Sequence, residues 1–436
     1  MAHLPVYFEQ RRVGTIDIDK NGPGFTYDPG WIELRGAFPI SIAMPLSSER
    51  IAPDNFLPWA ANLLPESEQL RTLGQLLGMA RGDVIGLLSA IGGDTAGALS
   101  IGQFGRTASV QWRPIDKQQD LERLIEELPS KPFLVGEEGV SMSLAGVQSK
   151  LAVALDQRGC ICIPMNGSPS THILKPDAPL LRGSVQNEAF CLILARRMKI
   201  PTPSVTTGRA GKRTYLLVKR FDRTEASGRW RRLHQEDYCQ ALGRPPSAKY
   251  EANQTGIAGP ALKDMFELTR RYMPPTDVVQ LLDMVVVNVL VCNTDAHAKN
   301  YSIMIRGKGA SLAPLYDVMC AEVWENVTKN LAQKIAGKTR GDYLSGRDWQ
   351  LFARACGLNP KQVIDRVETL AKSVISEAEA AQSEVAAMPA GGHEILDQTR
   401  QAVQRQARTV LAQLHELGGD PAGAAGRSKE AEVAAK

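Results

Sequence analysis

Apolar positions along this chain follow two periods. In the first 35 residues, and again between 151 and 218, they come in short alternating or continuous runs, the mark of strands. From 234 onward they recur mainly every three or four residues, the mark of helices. The spacing predicts strands over 5–18 and 24–35, then short helices over 55–64, 67–77 and 83–91, broken by Pro65 and by glycines. A connector, 107–137, carries one charged helix over 116–128. Strands follow at 151–155, 161–163, 171–175 and 214–222, with a helix from Ser184, a candidate N-cap, through Val185, Ala189, Leu192 and Ile193. Helices are then expected over 237–242, 259–272, 276–292, 349–356, 360–387 and 395–417, with short strands at 301–305 and 311–315. The last 19 residues, 418–436, lack periodicity and read as disordered. The organisation expected is α+β: an α/β subdomain over 1–106, the connector, a strand-rich part over 138–225 and a largely helical part over 226–417.

The long apolar run ending at Cys292 opens into Asn293-Thr294-Asp295-Ala296-His297-Ala298-Lys299-Asn300. A loop that follows a buried element and carries Asp, His, Lys and Asn together makes a poor core and a good reaction centre. Asp295 stands five residues before Asn300, and Asp317 follows after a predicted hairpin. In protein kinases a base stands five residues before a magnesium-binding Asn, and a metal-binding Asp comes later. One carboxylate can orient a hydroxyl, while an amide oxygen and a second carboxylate are the hard ligands Mg²⁺ prefers. The plainer alternative is that Asp295 and Asn300 only cap turns.

Upstream, Ser143-Leu144-Ala145-Gly146-Val147-Gln148-Ser149-Lys150 is a small polar loop before a hairpin, and Lys175 closes a short apolar strand. Loop, hairpin and strand-borne lysine is the order of parts that covers ATP phosphates in a kinase. An ordinary hairpin with a solvated lysine has the same pattern. Glu188 lies on the apolar face of the helix begun at Ser184, and a buried carboxylate there calls for a cation, with Lys175 the natural partner. Gly92-Gly93-Asp94-Thr95-Ala96-Gly97-Ala98-Leu99 is rich in glycine but lacks the G-K-[ST] ending of a P-loop, so a structural turn is expected.

Composition changes this picture little. A length of 436 residues suggests two or three domains, and a formal charge of +4 selects no partner. Seven scattered cysteines without CxxC pairs fit reduced thiols and no zinc site. Residues 1–12 lack the apolar core of a signal peptide, and no apolar run is long enough to span a bilayer. A cytoplasmic protein without a membrane partner is expected.

The loop 143–150, His172-Ile173-Leu174-Lys175, Val218-Lys219-Arg220-Phe221-Asp222-Arg223, Gln235-Glu236-Asp237-Tyr238-Cys239-Gln240, the 293–300 loop and Leu315-Tyr316-Asp317-Val318 occur in one order. In that order they resemble the HipA-type serine/threonine kinase toxins of bacterial toxin–antitoxin modules, over nearly the whole chain. The resemblance implies a kinase-like fold, ATP and Mg²⁺ as cofactors, Asp295 as catalytic base, and Asn300 and Asp317 as metal ligands. It implies that Ala145, Gly146, Val147, Gln148, Ser149, Lys150 and Lys175 hold the phosphates. Lys219, Arg220 and Phe221 would frame the adenine, and His297, Ala298, Lys299 and Tyr316 would line the nucleotide site. Ser143 matches the serine such kinases autophosphorylate; Ser149, where an acidic residue is usual, is a second candidate, and Lys219 also replaces an acidic residue.

The implied partners are a HipB-like helix-turn-helix antitoxin, operator DNA through the toxin–antitoxin complex, and an aminoacyl-tRNA synthetase as substrate. Two other functions share these residues. A small-molecule phosphotransferase can carry the same Asp and Asn spacing. A DNA-binding corepressor with a silent kinase site could use the basic run of Lys329, Lys334, Lys338 and Arg340, which otherwise reads as a solvated face.

Overall fold

The computed structural model describes residues 3–102 and 110–414, so the tail expected to be disordered lies outside the described residues. In the N-terminal unit the alternating runs form β1 (His3–Phe8), β2 (Arg11–Asp19) and β3 (Gly22–Tyr27). With β4 (Leu99–Ile101) they make an antiparallel sheet of order β3-β2-β1-β4. Val6, Val13, Ile16 and Phe25 point into its core, against the helices Pro53–Ala61 and Val84–Ile91. The strand expected over 24–35 stops at Tyr27. Asp28 accepts the Gly30 N–H, Pro29 is pre-set for a first helical position, and Pro29–Ile32 turns helical.

The second sheet holds β5 (Trp112–Pro114), β6 (Leu151–Leu155), β7 (Ile161–Pro164), β8 (His172–Pro176), β9 (Val205–Ala210) and β10 (Arg213–Lys219). Its order is β5-β7-β6-β8-β10-β9, with every pair antiparallel. The stretch 107–137 thus supplies an edge strand. The strand expected to run to Asp222 ends at Lys219, because Arg220 and Asp222 turn into a buried charge cluster.

Behind this sheet runs the helix Ser184–Arg197, buried at every position from Ser184 to Ala195. Its apolar residues are not confined to a stripe because the helices Pro360–Ala386 and Ile395–Leu414 pack on it from the other side. Ser184 is its first residue and not its cap. Gly183 takes the cap position at φ 80°, a left-handed turn that favours glycine, and the Ser184 hydroxyl donates to Asp177 Oδ1 at 3.0 Å.

After a hairpin of β11 (Arg223–Ala226) and β12 (Arg229–Arg232), a small sheet joins β13 (His234–Asp237), β14 (Ser302–Arg306) and β15 (Gly309–Leu312). Here too the strand expected at 311–315 sits earlier. The rest is helical, led by Leu262–Tyr272, Pro275–Leu290 and Gly346–Ala355. The basic run falls on a short hairpin, Asn330–Ile335 and Lys338–Arg340. Three of its four cations are committed locally. Lys329 donates to the Ala321 and Trp324 carbonyls, Lys338 pairs with Asp348 at 2.8 Å, and Arg340 with Asp342 at 2.7 Å. That leaves little free charge to contact a DNA phosphate.

The glycine-bearing stretch near 94 is a turn, and it carries the junction between the two sheets. Asp94 Oδ1 accepts from Arg223 at 2.8 Å and from Arg232 at 2.9 Å, and its Oδ2 accepts from Ser170 Oγ at 2.6 Å. Beside it, Asp222 Oδ2 accepts from Arg220 at 2.6 Å and from the Gly97 N–H at 2.7 Å. All five charged side chains are buried. Burial alone would raise the Asp94 carboxyl, but the guanidiniums of Arg223, Arg232 and Arg220 outweigh it and hold the group well below the usual carboxylate range. At Asp222 burial likewise opposes Arg220 and Arg223, and the carboxyl settles at about 2 against an ordinary 3.8. Asp94→Ala strands buried guanidiniums and is expected to lower stability by roughly 3–5 kcal/mol, read as a fall in the urea midpoint. In the unsubstituted chain the contribution of Asp222 is complete above its ordinary value of 3.8 and lost as pH falls toward about 2, so urea titrations should show stability dropping across that window.

Candidate active site

The helix Pro275–Leu290 ends on the loop singled out by the sequence. Cys292 adopts φ 58°, which turns the chain away from the helix axis. The loop is then braced by its own side chains. Asn293 Nδ2 donates to Asn288 Oδ1 at 2.8 Å, and Asn300 Nδ2 donates to the Asp295 carbonyl at 2.8 Å. With its amide nitrogen so engaged, Asn300 has its Oδ1 left to offer the adjoining cavity. Lys299 does not point into open space. Its buried ammonium donates to Asn62 Oδ1 at 2.6 Å and Asp237 Oδ2 at 3.1 Å, tying the loop to the N-terminal unit. The Tyr316 hydroxyl donates to the Lys299 carbonyl at 2.7 Å.

The cavity measures about 1140 Å³ and lies between the second sheet, the N-terminal unit and the helical part. On its sheet side Lys175 Nζ donates to Glu188 Oε1 and to Asp317 Oδ1, both at 2.7 Å. Burial opposes the Lys175 charge, but Asp317 and Glu188 more than compensate, so its pKa is pushed above the lysine range. Burial raises Glu188 further than Lys175 lowers it, whereas at Asp317 the lysines Lys175 and Lys150 win over burial and hold the carboxyl well below its usual range. Asp317 also has φ 57°, a backbone conformation that costs a non-glycine residue energy and clusters at functional sites. Burial, together with repulsion from Lys175, pulls the Lys150 pKa down despite Asp317.

Asp295 sits across the cavity, with 56% of its side chain open to it. The surrounding walls still exclude enough water to raise its carboxyl, with Tyr250 working against that rise and Asp317 adding to it. The Tyr250 hydroxyl donates to Asp295 Oδ1, and His297 Nε2 lies 3.8 Å from the same oxygen. Burial and the neighbouring Lys249 depress His297 far below its ordinary value, so the imidazole is neutral.

The loop before β6 is docked on the N-terminal unit. The Glu66 N–H donates to the Gly146 carbonyl at 3.1 Å, Gln69 Nε2 to the Val147 carbonyl at 2.7 Å, and Lys150 Nζ to the Ala145 carbonyl at 2.7 Å. Gly146 has φ +107°, a conformation that strains any residue with a side chain, and a Cβ there would press on Lys150 Nζ at 2.7 Å. Ser143 is fully buried, its hydroxyl donating to the Leu63 carbonyl at 2.6 Å.

Ala145, Gly146, Val147, Gln148, Lys150, Lys175, Glu188, Lys219, Arg220, Phe221, Asp295, His297, Lys299, Asn300, Tyr316 and Asp317 all line the one cavity. Ser143, Ser149 and Ala298 do not; the Ala298 N–H is used by the Lys249 carbonyl. Lys219 is exposed on the rim, and the Arg220 guanidinium belongs to the Asp94–Asp222 cluster. The N–H groups of both are used, by Ser204 and Thr171. Phe221 offers its ring, 5.3 Å from that of Tyr316.

Sequence inspection missed Tyr250, Asn62 and the pair Lys249–Glu66, which closes at 2.7 Å on the cavity's other flank. Tyr250 lies in an aperiodic stretch rich in Gly, Pro and Ala, with no local signal of a role. Replacing Lys175 tests the ion triad directly. Lys175→Met leaves the buried Glu188 and the partly buried Asp317 without their ammonium and should cost roughly 3–5 kcal/mol at neutral pH. Their pKa values then rise in the folded state, so the deficit should shrink as pH is lowered, the opposite of the Asp222 effect, when urea midpoints are compared at two pH values.

Comparison with known proteins adds the lineage. The family model described as HipA-like C-terminal domain matches residues 142–378, and the HipA N-terminal domain matches residues 4–102. The chain is 36% identical over 381 residues to the protein Y4mE of Sinorhizobium fredii, covering 85% of this chain and 89% of the relative. It is 29% identical over 384 residues to the serine/threonine-protein kinase toxin HipA of Shewanella oneidensis, covering 85% and 87% respectively. The Shewanella oneidensis HipA chain solved with HipB and operator DNA superposes with a TM-score of 0.83 at 26% identity, covering 95% of this chain and 99% of that one. With both domain models matched in order around one cavity, the chain belongs to the HipA family.

Proposed function

We propose that this protein is an ATP- and Mg²⁺-dependent serine/threonine protein kinase acting as the toxin of a toxin–antitoxin module. The observation that carries this reading is Lys175 held between Glu188 and Asp317, facing Asp295 and Asn300 across one cavity. In this reading the ammoniums of Lys150 and Lys175 and the amides of the 145–150 loop neutralise phosphate charge. Asn300 Oδ1 and the second oxygen of Asp317 are hard donors that fit Mg²⁺, which when bound supplies charge neutralisation at the phosphates. Two protein oxygens suffice, because Mg²⁺ usually completes its shell with phosphate oxygens and water.

Asp295 orients the acceptor hydroxyl and takes its proton. A carboxyl raised above the ordinary range is a better base near neutral pH than a free one. Tyr250 now occupies the place of an acceptor hydroxyl on Asp295, so it must give way or share the carboxylate when substrate arrives. Neutral His297 adds no competing charge there.

The relative crystallised with HipB and operator DNA supports a HipB-like antitoxin and DNA, reached through the complex, as partners. No described helix is long and apolar enough to cross a membrane. A cytoplasmic location, an aminoacyl-tRNA synthetase as substrate and autophosphorylation at Ser143 or Ser149 complete the proposal.

Intact-mass spectrometry after incubation with Mg-ATP tests it. The unsubstituted chain should gain one phosphoryl group, mapped to Ser143 or Ser149, and Asp295→Gln should gain none. Nucleotide binding without any phosphoryl gain on the unsubstituted chain would instead favour a small-molecule acceptor. Tyr250→Phe removes a donor that lowers the Asp295 pKa, so the acid limb of the pH–rate profile should move to higher pH. The rate is expected to fall most on the acid side of the profile and least at alkaline pH, measured as initial phosphoryl transfer across a pH series.

A further inference from the structure

A second cavity, of about 380 Å³, shares no lining residue with the first. The loop 293–300 separates the two: Asp295 lines the first and Thr294 the second. The helix Ile395–Leu414 forms one wall, where Ala402, Gln406, Thr409 and Gln413 recur every three or four residues along a single face. The turn 340–343 forms another. Gln406 reaches toward that turn, with its Nε2 3.4 Å from where a Cβ on Gly341 would stand.

Two buried polar side chains in these walls have no protein partner. Thr294 and Gln406 are 6% and 8% exposed, and neither side chain makes a hydrogen bond among the described residues. A buried hydroxyl or amide left in that state costs stability, so on folding grounds Val and Leu would serve better at these two positions. The charges of the lining point to a ligand as well. Lys329 is spent on the Ala321 and Trp324 carbonyls, and Arg340 holds Asp342 through Nε and Nη2. Arg405, exposed at the cavity wall, has no ion pair or hydrogen bond among the described residues.

We propose that this cavity binds a small organic carboxylate that also carries an N–H or O–H donor, the chemistry shared by amino acids and hydroxy acids. The planar Arg405 guanidinium offers two parallel N–H groups to a carboxylate. Gln406 Nε2 and the Thr294 hydroxyl are further donors, and Gln406 Oε1 is the acceptor for the ligand's own N–H or O–H. Val289, Leu331 and Ala402 give a short carbon skeleton an apolar surface. The volume lies at the lower end of the roughly 300–1,000 Å³ usual for small-molecule sites. A phosphate dianion fits less well, because Glu322 and Asp342 stand in the same walls and would repel its second charge. Thr294 directly precedes Asp295, so a ligand held by its hydroxyl restrains the loop that carries that carboxylate.

The proposal does not rest on the kinase reading, and its test uses no phosphoryl transfer. The full chain is titrated calorimetrically with L-leucine and with L-lactate. The controls are isocaproate, which is leucine without its amine, L-leucinamide, which lacks the acid, and inorganic phosphate. Leucine or lactate is expected to bind at least about tenfold more tightly than any control, the loss of one charge-assisted hydrogen bond. Binding of leucine alone assigns the site to amino acids, and of lactate alone to hydroxy acids. Arg405→Gln and Gln406→Leu should each weaken that binding by about tenfold or more. Gln406→Leu should also raise the urea midpoint of the free chain, since it removes an unpartnered buried amide; Arg405→Gln, at an exposed position, serves if that variant fails to fold. Amide hydrogen exchange should slow on adding the bound probe in peptides spanning 292–295 and 402–413. No heat from either probe means that the cavity holds water only, and overturns the proposal. So does phosphate binding as tightly as the better probe, or binding that neither substitution weakens.

Discussion

The arrangement depends on one buried ammonium. Lys175 is almost sealed from water and would be costly to bury alone, yet Glu188 and Asp317 each sit 2.7 Å from its nitrogen. Three elements must therefore meet: β8, the helix Ser184–Arg197 that follows it and, more than a hundred residues on, the turn after β15. Counting Lys175, Glu188 and Asp317 together, the triad keeps a net negative charge, and Lys150 is near enough to help Lys175 hold the Asp317 carboxyl low. Removing Lys175 strands the buried Glu188 carboxylate, and removing either acid takes one of the ammonium's two partners, so the geometry of the cavity wall is fixed by electrostatics as much as by packing.

A second set of charges fixes the N-terminal unit to that wall. Asp94 and Asp222 with their arginines hold one side, and Lys299 with Asn62 and Asp237 the other. The segment Gln235 to Gln240 links these two anchors. Gln235 reaches Asp222, Glu236 accepts the Ile42 N–H, Asp237 pairs with Lys299, and Gln240 donates to the Trp59 carbonyl. Burial pushes Glu236 up to about 8, so at neutral pH this carboxyl stays largely protonated and adds no uncompensated charge to the junction. The N-terminal unit is thus a wall of the cavity and not an appendage.

Much of this was legible in the sequence. Apolar spacing located nearly every helix, and the Asp295, Asn300 and Asp317 spacing pointed to the residues that share the cavity. Strand ends were less legible, because they are set by what comes next: Asp28 capping a helical turn, or Arg220 leaving β10 for a buried carboxylate. The roles of Lys299 and Arg220 were hidden for a related reason. A cation in a motif looks the same whether it faces a ligand or a buried partner: Lys299 is taken by Asn62, more than two hundred residues away, and Arg220 by Asp222 with the distant Asp94 beside it. Tyr250 was invisible because its only signal is three-dimensional.

The docked loop sets a condition on any modification of Ser143. Its hydroxyl is fully buried and donates its only proton to the Leu63 carbonyl. A phosphoserine has no such proton, and its dianion would face a carbonyl oxygen in a site closed to water, so the phosphorylated residue cannot remain where the serine is. Leaving would also carry away its neighbours: the Gly146 and Val147 carbonyls would release Glu66 and Gln69, and Ala145 would release Lys150. Lys150 then loses the contact that places its charge near Asp317. A phosphorylated Ser143 and the docked 143–150 loop are therefore mutually exclusive states.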